Sequence, residues 1–176
     1  TGFFTTGRTW AFQHMGVEPD IVAFGKKAQQ CGIFCGPKID RVPGNVFETS
    51  SRINSTWGGN LVDMARCIRV LEVVKAENLA ANAARMGERW LAGMRGLAEA
   101  RPDLVSNVRA LGLLMAFDLP GGEFRARFLD TAFENGLMAL ACGSRTVRFR
   151  PHLSVSAEEI DGCLEILAAT LKALPA

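Results

Sequence analysis

The chain has 176 residues, of which 48% are hydrophobic and 22% are charged. This composition is typical of a packed globular protein and excludes an intrinsically disordered chain. The 20 basic and 18 acidic residues give a formal net charge of +2. Because these charges are interspersed along the chain, the sequence does not predict a nucleic-acid-binding surface.

The cysteines and histidines favour a cytoplasmic protein without a metal site. Five cysteines, an odd number without a Cys-x-x-Cys pair, indicate reduced thiols. No apolar run approaches the roughly 20 residues that a membrane-spanning helix needs, and the first residues lack the pattern of a signal peptide. His14 and His152 lie far apart, and Cys31 and Cys35 have the wrong spacing for a zinc site.

The first part of the chain predicts a short helix followed by two strands. Residues 6–15 are predicted to form a helix that ends at Gly16. An apolar run over residues 21–25 predicts a strand buried between helices, and a second strand is predicted over residues 32–36. Lys26 follows the first strand at its carboxyl end, which is where ligands bind in open α/β sheets. Lys26 is therefore a candidate functional residue.

A polar stretch then leads into a long helical segment. Residues 54–60 read Asn-Ser-Thr-Trp-Gly-Gly-Asn, and Asn60 can cap the helix that follows. From residue 61 to about residue 99 the composition favours a helix, which three glycines interrupt. The pattern predicts a long helix, a bend and another helix.

The remaining sequence predicts a compact α+β unit. A strand is predicted over residues 111–119, a helix over residues 123–135, and two further strands over residues 137–142 and 146–150. The final helix begins with a Ser-x-x-Glu capping box at residues 156–159.

Residues 20–27 read Asp-Ile-Val-Ala-Phe-Gly-Lys-Lys, which resembles the lysine motif of class III aminotransferases. The resemblance implies that Lys26 is the catalytic residue and binds pyridoxal 5′-phosphate as a Schiff base. A lysine amine must be neutral to attack a carbonyl carbon, and desolvation in a crevice favours the neutral form. For an isolated Gly-Lys-Lys the simpler interpretation is a pair of solvated loop lysines. The two motifs that follow favour the functional interpretation.

Residues 54–60 resemble the family segment in which a hydroxyl residue contacts the cofactor phosphate of the neighbouring subunit. This resemblance implies that Thr56 binds the cofactor, with Ser55 as the second choice, and that Asn54 binds the substrate. A hydroxyl group and the backbone amides of a glycine-rich turn at a helix start suit a phosphate. The alternative is simple helix capping by Asn60 beside a flexible Gly-Gly turn.

Residues 146–151 read Thr-Val-Arg-Phe-Arg-Pro and resemble the family element whose first arginine holds a substrate carboxylate. The resemblance implies that Arg148 binds the substrate, because a planar guanidinium can grip a carboxylate through two parallel hydrogen bonds. Alternatively, Arg148 and Arg150 make surface salt bridges. Strand alternation places both on one face, so spacing does not choose between them.

Together the three motifs resemble the lysine 6-aminotransferase subgroup. They imply the C-terminal part of an α/β, fold-type I pyridoxal-phosphate-dependent transferase. Residues 1–76 would be the end of the large cofactor-binding domain, and residues 77–176, after a long linking helix, the small α+β domain. Because the chain opens without a methionine, we expect a fragment, with some active-site residues preceding Thr1 and little activity when isolated.

The resemblance implies transfer of the ε-amino group of L-lysine to 2-oxoglutarate by a homodimer. The products would be 2-aminoadipate 6-semialdehyde and glutamate. Two alternatives stay open at this point. One is another ω-amino-acid aminotransferase, acting on 4-aminobutyrate or ornithine, and the other is a truncated, non-catalytic interaction module.

Overall fold

The computed structural model describes residues 3–53, 55–56 and 58–174, which form two compact units. The first unit contains the N-terminal residues up to Phe4 together with Arg8–Asn78. The second contains Thr5–Gly7 and the chain from Leu79 onward. Within the described residues, no helix combines the length and apolar character needed to cross a bilayer.

The strands of the first unit form an antiparallel hairpin of β1 (Ile21–Phe24) and β2 (Gly32–Cys35). The prediction that the first strand is buried between helices was wrong, because Ile21 is 58% exposed and alternate residues of β1 are only half-buried. The pairing of β1 with β2 leaves one side of the ribbon uncovered. On its other side Phe24 and Phe34 pack on the ring of Trp10, at centroid distances of 6.1 and 5.6 Å.

The predicted helix over residues 6–15 was also wrong, because only Ala11–His14 form a single 3-10 turn. Gly7 has a φ of +83°, and Trp10 is extended with a φ of −129°. Neither conformation fits a right-handed helix, so the helical pattern is broken before it can propagate.

The long helical segment is divided, as predicted, into α1 (Leu61–Ala76) and α2 (Leu79–Ala100). Its interruption lies at Glu77 and Asn78, where Asn78 has a φ of +52°, and not at the glycines. Within α2, Gly87 permits close packing, since a Cβ atom there would lie 2.2 Å from the carbonyl oxygen of Gly112.

The second unit is an antiparallel sheet with helices α2, α3 and α4. Its strand order is β3-β4-β6-β5, and its core includes Phe117, Phe128 and Trp90. The bounds are β3 (Ser106–Leu111), β4 (Leu114–Asp118), α3 (Gly122–Glu134), β5 (Leu140–Cys142), β6 (Thr146–Phe149) and α4 (Ala157–Ala173).

The predicted strand over residues 111–119 is in fact the turn and second strand of a hairpin. β3 ends at Leu111, and Gly112, with a φ of +55°, turns the chain into β4. A side chain at Gly112 would also meet the Thr5 carbonyl oxygen at 2.6 Å. The apolar run therefore spans a turn that requires glycine, and β3 itself was not predicted.

The C-terminal elements follow the prediction more closely. α4 begins with the expected capping box, in which the Glu159 N–H donates to Ser156 Oγ at 3.2 Å and the Ser156 N–H donates to Glu159 Oε2 at 2.8 Å. β5, predicted over residues 137–142, starts only at Leu140. Gly136, with a φ of +88°, ends α3 as expected.

Candidate active site

Lys26 follows β1 after one residue, Gly25, and begins a short 3-10 turn, Lys26–Ala28. Its backbone is left-handed, with a φ of +55°, and so is that of Gln29, with a φ of +62°. This conformation costs an L-residue other than glycine about 1 kcal/mol or more. The Gln29 N–H closes the turn by donating to the Lys26 carbonyl oxygen at 3.0 Å, and Gln29 Nε2 donates to the same oxygen at 3.3 Å.

A cavity of about 460 Å³ lies beside this turn. Its lining residues include Lys26 and the aromatic side chains of Phe3, Trp10, Phe12 and Phe24. The Trp10 ring lies 5.9 Å from the Phe3 ring and 6.1 Å from the Phe24 ring. The cavity can therefore place a planar apolar group next to the lysine.

Lys26 itself is exposed. The desolvation expected at the end of a buried strand is thus not provided by the described part of this chain. Asp20, the acidic residue of the lysine motif, pairs with Lys38 at 2.9 Å. In the described residues its carboxylate thus contacts the segment that follows β2.

The segment before α1 contains the predicted phosphate contacts. Ser55 and Thr56 are exposed, and the Gly58 N–H donates to the Ser55 carbonyl oxygen at 3.1 Å. Gly59 has a φ of +74° and leads into Asn60, whose side chain accepts from the Val62 N–H at 2.9 Å. The predicted cap is therefore present, and it is compatible with a phosphate role for the hydroxyl groups.

A second cavity, of about 390 Å³, brings this segment next to β1. Ser55, Gly58 and Gly59 line it together with Phe24, which also lines the cavity beside Lys26. The predicted substrate residue Asn54, like Trp57, lies outside the described residues.

Two residues of this region were not predicted from the sequence. Arg66 on α1 donates through NH1 to Gln29 Oε1 at 3.0 Å, and through NH2 to Asp63. Arg66 and Gln29 are 37 positions apart, so no local spacing in the sequence could have indicated this contact.

Arg148 belongs to the second unit, on β6, which is one of the two inner strands of the sheet. It pairs with Ala116 of β4 and Leu140 of β5, and it is half-buried on the face opposite the buried Val147 and Phe149. Strand alternation thus directs its guanidinium away from the core.

Arg150 has different surroundings, although sequence spacing could not separate it from Arg148. It lies just beyond the end of β6 and lines a cavity of about 240 Å³ that Arg148 does not line. Buried Trp90 and Ile160 form part of the same cavity.

A buried carboxylate fixes the start of β6. Asp118 accepts from Thr146 Oγ1 at 2.6 Å, from Asn107 Nδ2 at 3.0 Å and from Arg109 NH1 at 3.1 Å. These contacts, of which the Thr146 and Asn107 hydrogen bonds contribute most, lower the pKa of Asp118 from 3.8 to about 2. Because Thr146 and Arg148 share one strand, this cluster also positions the arginine.

Comparison with known proteins decides the family. The model of the family "Aminotransferase class-III" matches residues 1–171. The chain belongs to the class III aminotransferases.

Curated relatives in this family include two lysine enzymes. The L-lysine-epsilon aminotransferase of Streptomyces clavuligerus is 44% identical over 99% of this chain, and that of Mycobacterium tuberculosis is 46% identical over 99%. The chain spans about 38% of the length of either relative. The solved structure of lysine aminotransferase from M. tuberculosis in the internal aldimine form matches with a TM-score of 0.93 and 44% identity. The match covers 98% of this chain and 40% of that one, and it confirms the predicted α/β fold class.

Membership of the class III aminotransferases implies pyridoxal 5′-phosphate as the cofactor, and the described residues fit it. Lys26 would offer an amine to the cofactor aldehyde, and the aromatic cavity beside it suits a planar ring. The hydroxyl groups of Ser55 and Thr56, beside the glycine turn that starts α1, suit a phosphate.

Protonation of Asp118 should destabilise the second unit. Because its pKa is depressed on folding, the stabilisation is complete above about pH 4 and is lost as the pH falls from 3.8 towards about 2. The loss should be on the order of 1–2 kcal/mol. Asp118→Asn should remove this acid dependence and lower the melting temperature at pH 6, as measured by circular dichroism.

Asp161→Asn provides the control for this prediction. Asp161 is also paired with an arginine, Arg89, but its side chain is 44% exposed, so its removal should have little effect on stability. If stability falls with pH in Asp118→Asn as it does in the wild-type protein, the assigned role of the buried carboxylate is contradicted.

Proposed function

We propose that the protein carrying this chain transfers the ε-amino group of L-lysine to 2-oxoglutarate. The products are then 2-aminoadipate 6-semialdehyde and glutamate. The observation that carries the proposal is the placement of Lys26 on a constrained turn after β1, beside an aromatic-lined cavity. The similarity to relatives that are named for lysine supports the choice of amino donor.

In this proposal the first unit is the end of the large cofactor-binding domain, and the second unit is the small C-terminal domain. Pyridoxal phosphate, when bound, supplies an electron-accepting ring that stabilises negative charge on the substrate carbon. Lys26 has two tasks. Its Nζ would hold the cofactor covalently, and when free it would carry the proton that leaves the substrate ε-carbon to the cofactor carbon.

Thr56 is the proposed phosphate contact, with Ser55 as the second choice. Both hydroxyl groups are exposed just before α1, where the helix dipole favours an anion. Asn54 is retained as a proposed substrate contact. In a homodimer these residues would serve the cofactor of the neighbouring subunit.

Arg148 is the proposed carboxylate-binding residue. Its position on β6, directed away from the core and flanked by strands on both sides, supports a fixed orientation of the guanidinium. Such a group can hold a carboxylate of the substrate by two parallel hydrogen bonds.

A second copy of this chain is the proposed partner of α1. The apolar residues on one side of this helix are spaced three or four apart and are exposed, which supports an interface rather than a solvated face. They are Leu61 (78% exposed), Met64 (40%), Ile68 (58%) and Leu71 (40%).

The assay of this function compares the two adjacent lysines. The complete gene product should transaminate L-lysine with a higher kcat/KM than ornithine or 4-aminobutyrate. Lys26→Ala should lower kcat by at least about 10³-fold, because the nucleophile and the proton carrier are both lost. Lys27→Ala should retain activity within roughly tenfold. Substantial turnover by Lys26→Ala would contradict the assignment, and a preference for another donor would contradict the substrate.

The role of Arg148 is tested by comparing substitutions of Arg148 and Arg150 for their effect on kcat/KM. Arg148→Gln should lower kcat/KM for 2-oxoglutarate by roughly 10²-fold, since charge-assisted hydrogen bonds to the carboxylate are lost. Arg150→Gln, in a different environment, should have an effect of less than about fivefold. Equal losses in the two variants, or a larger loss in Arg150→Gln, would show that Arg148 does not hold the carboxylate.

The interface is tested by placing a charge in the apolar side of α1. Ile68→Glu should convert the dimer to a monomer in light scattering after size-exclusion chromatography, because an unpaired carboxylate would be buried at the interface. Arg69→Glu adds the same side chain outside the apolar stripe, at a position whose side chain is 75% exposed, and should stay dimeric. A monomeric wild-type protein would refute the interface.

A further inference from the structure

We propose that Arg66 and Gln29 act together as a clamp on the backbone of Lys26. Both are positioning residues, since they act through Lys26 rather than on the substrate. The inference rests on the proposed role of Lys26 as the cofactor anchor, and it concerns what holds that lysine in place.

Gln29 contacts both the lysine turn and α1. Its backbone N–H and its side-chain Nε2 both donate to the Lys26 carbonyl oxygen, at 3.0 and 3.3 Å. The side-chain oxygen remains as an acceptor and receives NH1 of Arg66 at 3.0 Å. One amide group thus joins the lysine turn to α1.

Arg66 is in turn held by its own helix. Its NH2 group donates to Asp63, one turn earlier in α1, while NH1 contacts Gln29. Asn60 caps the same helix at Val62, so the first turn of α1 is fixed at its start. By helical periodicity, Arg66 lies on the side of α1 opposite the apolar stripe that includes Ile68.

The lysine turn needs such support because two of its residues are left-handed without being glycine. Lys26 has a φ of +55° and Gln29 a φ of +62°. Conformations of this kind persist where surrounding contacts over-determine them, and they are concentrated at functional sites. The conformation of Lys26 sets the direction in which its side chain leaves the backbone, so releasing the turn would reorient the amine.

The test removes the clamp and measures Lys26 without an activity assay. In the complete gene product, Arg66→Met removes both hydrogen bonds but retains an extended side chain. It should increase deuterium exchange at the Gln29 amide by about threefold or more. It should also slow covalent attachment of pyridoxal phosphate to Lys26 by about tenfold or more, because the amine is no longer held in the productive direction.

Two variants serve as controls. Arg66→Lys preserves a donor for Gln29 and should restore most of the attachment rate. Arg69→Met removes a comparable arginine of α1, which pairs with Glu72 at 2.9 Å three residues further along, and should change neither measurement. In cofactor-free protein, the rate of acetylation of Lys26 relative to Lys75 gives an independent measure of the reactivity of the Lys26 amine. It is measured by peptide mass spectrometry.

The outcomes separate this inference from the proposed function. If wild-type protein attaches the cofactor at Lys26 and Arg66→Met does so equally fast with unchanged exchange at Gln29, the clamp is refuted. If wild-type protein attaches none, the proposed function fails. In that case altered amide exchange and Lys26 acetylation in Arg66→Met still support the clamp, and unaltered values refute it.

Discussion

The left-handed backbone at Lys26 is the constraint around which the candidate site is arranged. A lysine in this conformation leaves the end of β1 in a direction that a regular strand or helix would not provide. Gln29 closes the turn, and Arg66 connects it to α1. A strained turn that is held from a separate helix is an arrangement that a solvated surface lysine does not need.

In the second unit, the packing of neighbouring side chains determines the direction of Arg148. Val147 and Phe149 must face the core, where Phe149 packs on Trp90 at a centroid distance of 5.2 Å, so Arg148 between them faces outward. The buried Asp118 then holds the start of the same strand through Thr146. The orientation of Arg148 therefore follows from burial of its neighbours and from one carboxylate at the strand end.

Much of this architecture could be predicted from local patterns. The capping box at Ser156 depends on residues close in sequence and was found. The long helical segment was also expected to bend, but its break lies at Glu77 and Asn78 and not at the glycines. β3 and the Gly112 turn were missed because the hydrophobic pattern of one long strand is the same as that of two strands joined by a tight turn. The burial of β1 was predicted wrongly, since burial depends on what covers a strand and not on its own composition.

In the candidate site, too, local sequence patterns predicted some residues and missed others. Family motifs pointed to Lys26, Thr56 and Arg148, whereas the contact between Arg66 and Gln29 joins positions with no recognisable pattern. Likewise, spacing could not distinguish Arg148 from Arg150. Their environments differ because β6 ends at Phe149 and because Arg150 lines a cavity that Arg148 does not line. Long-range hydrogen bonds and the exact end of a strand are tertiary properties.

The role of Lys26 is best tested by locating the residue to which the cofactor attaches. The complete gene product would be incubated with pyridoxal 5′-phosphate, reduced with borohydride and mapped by peptide mass spectrometry. We expect one dominant modified residue, Lys26. Modification spread over surface lysines such as Lys38 and Lys75, or no modification at all, would contradict it.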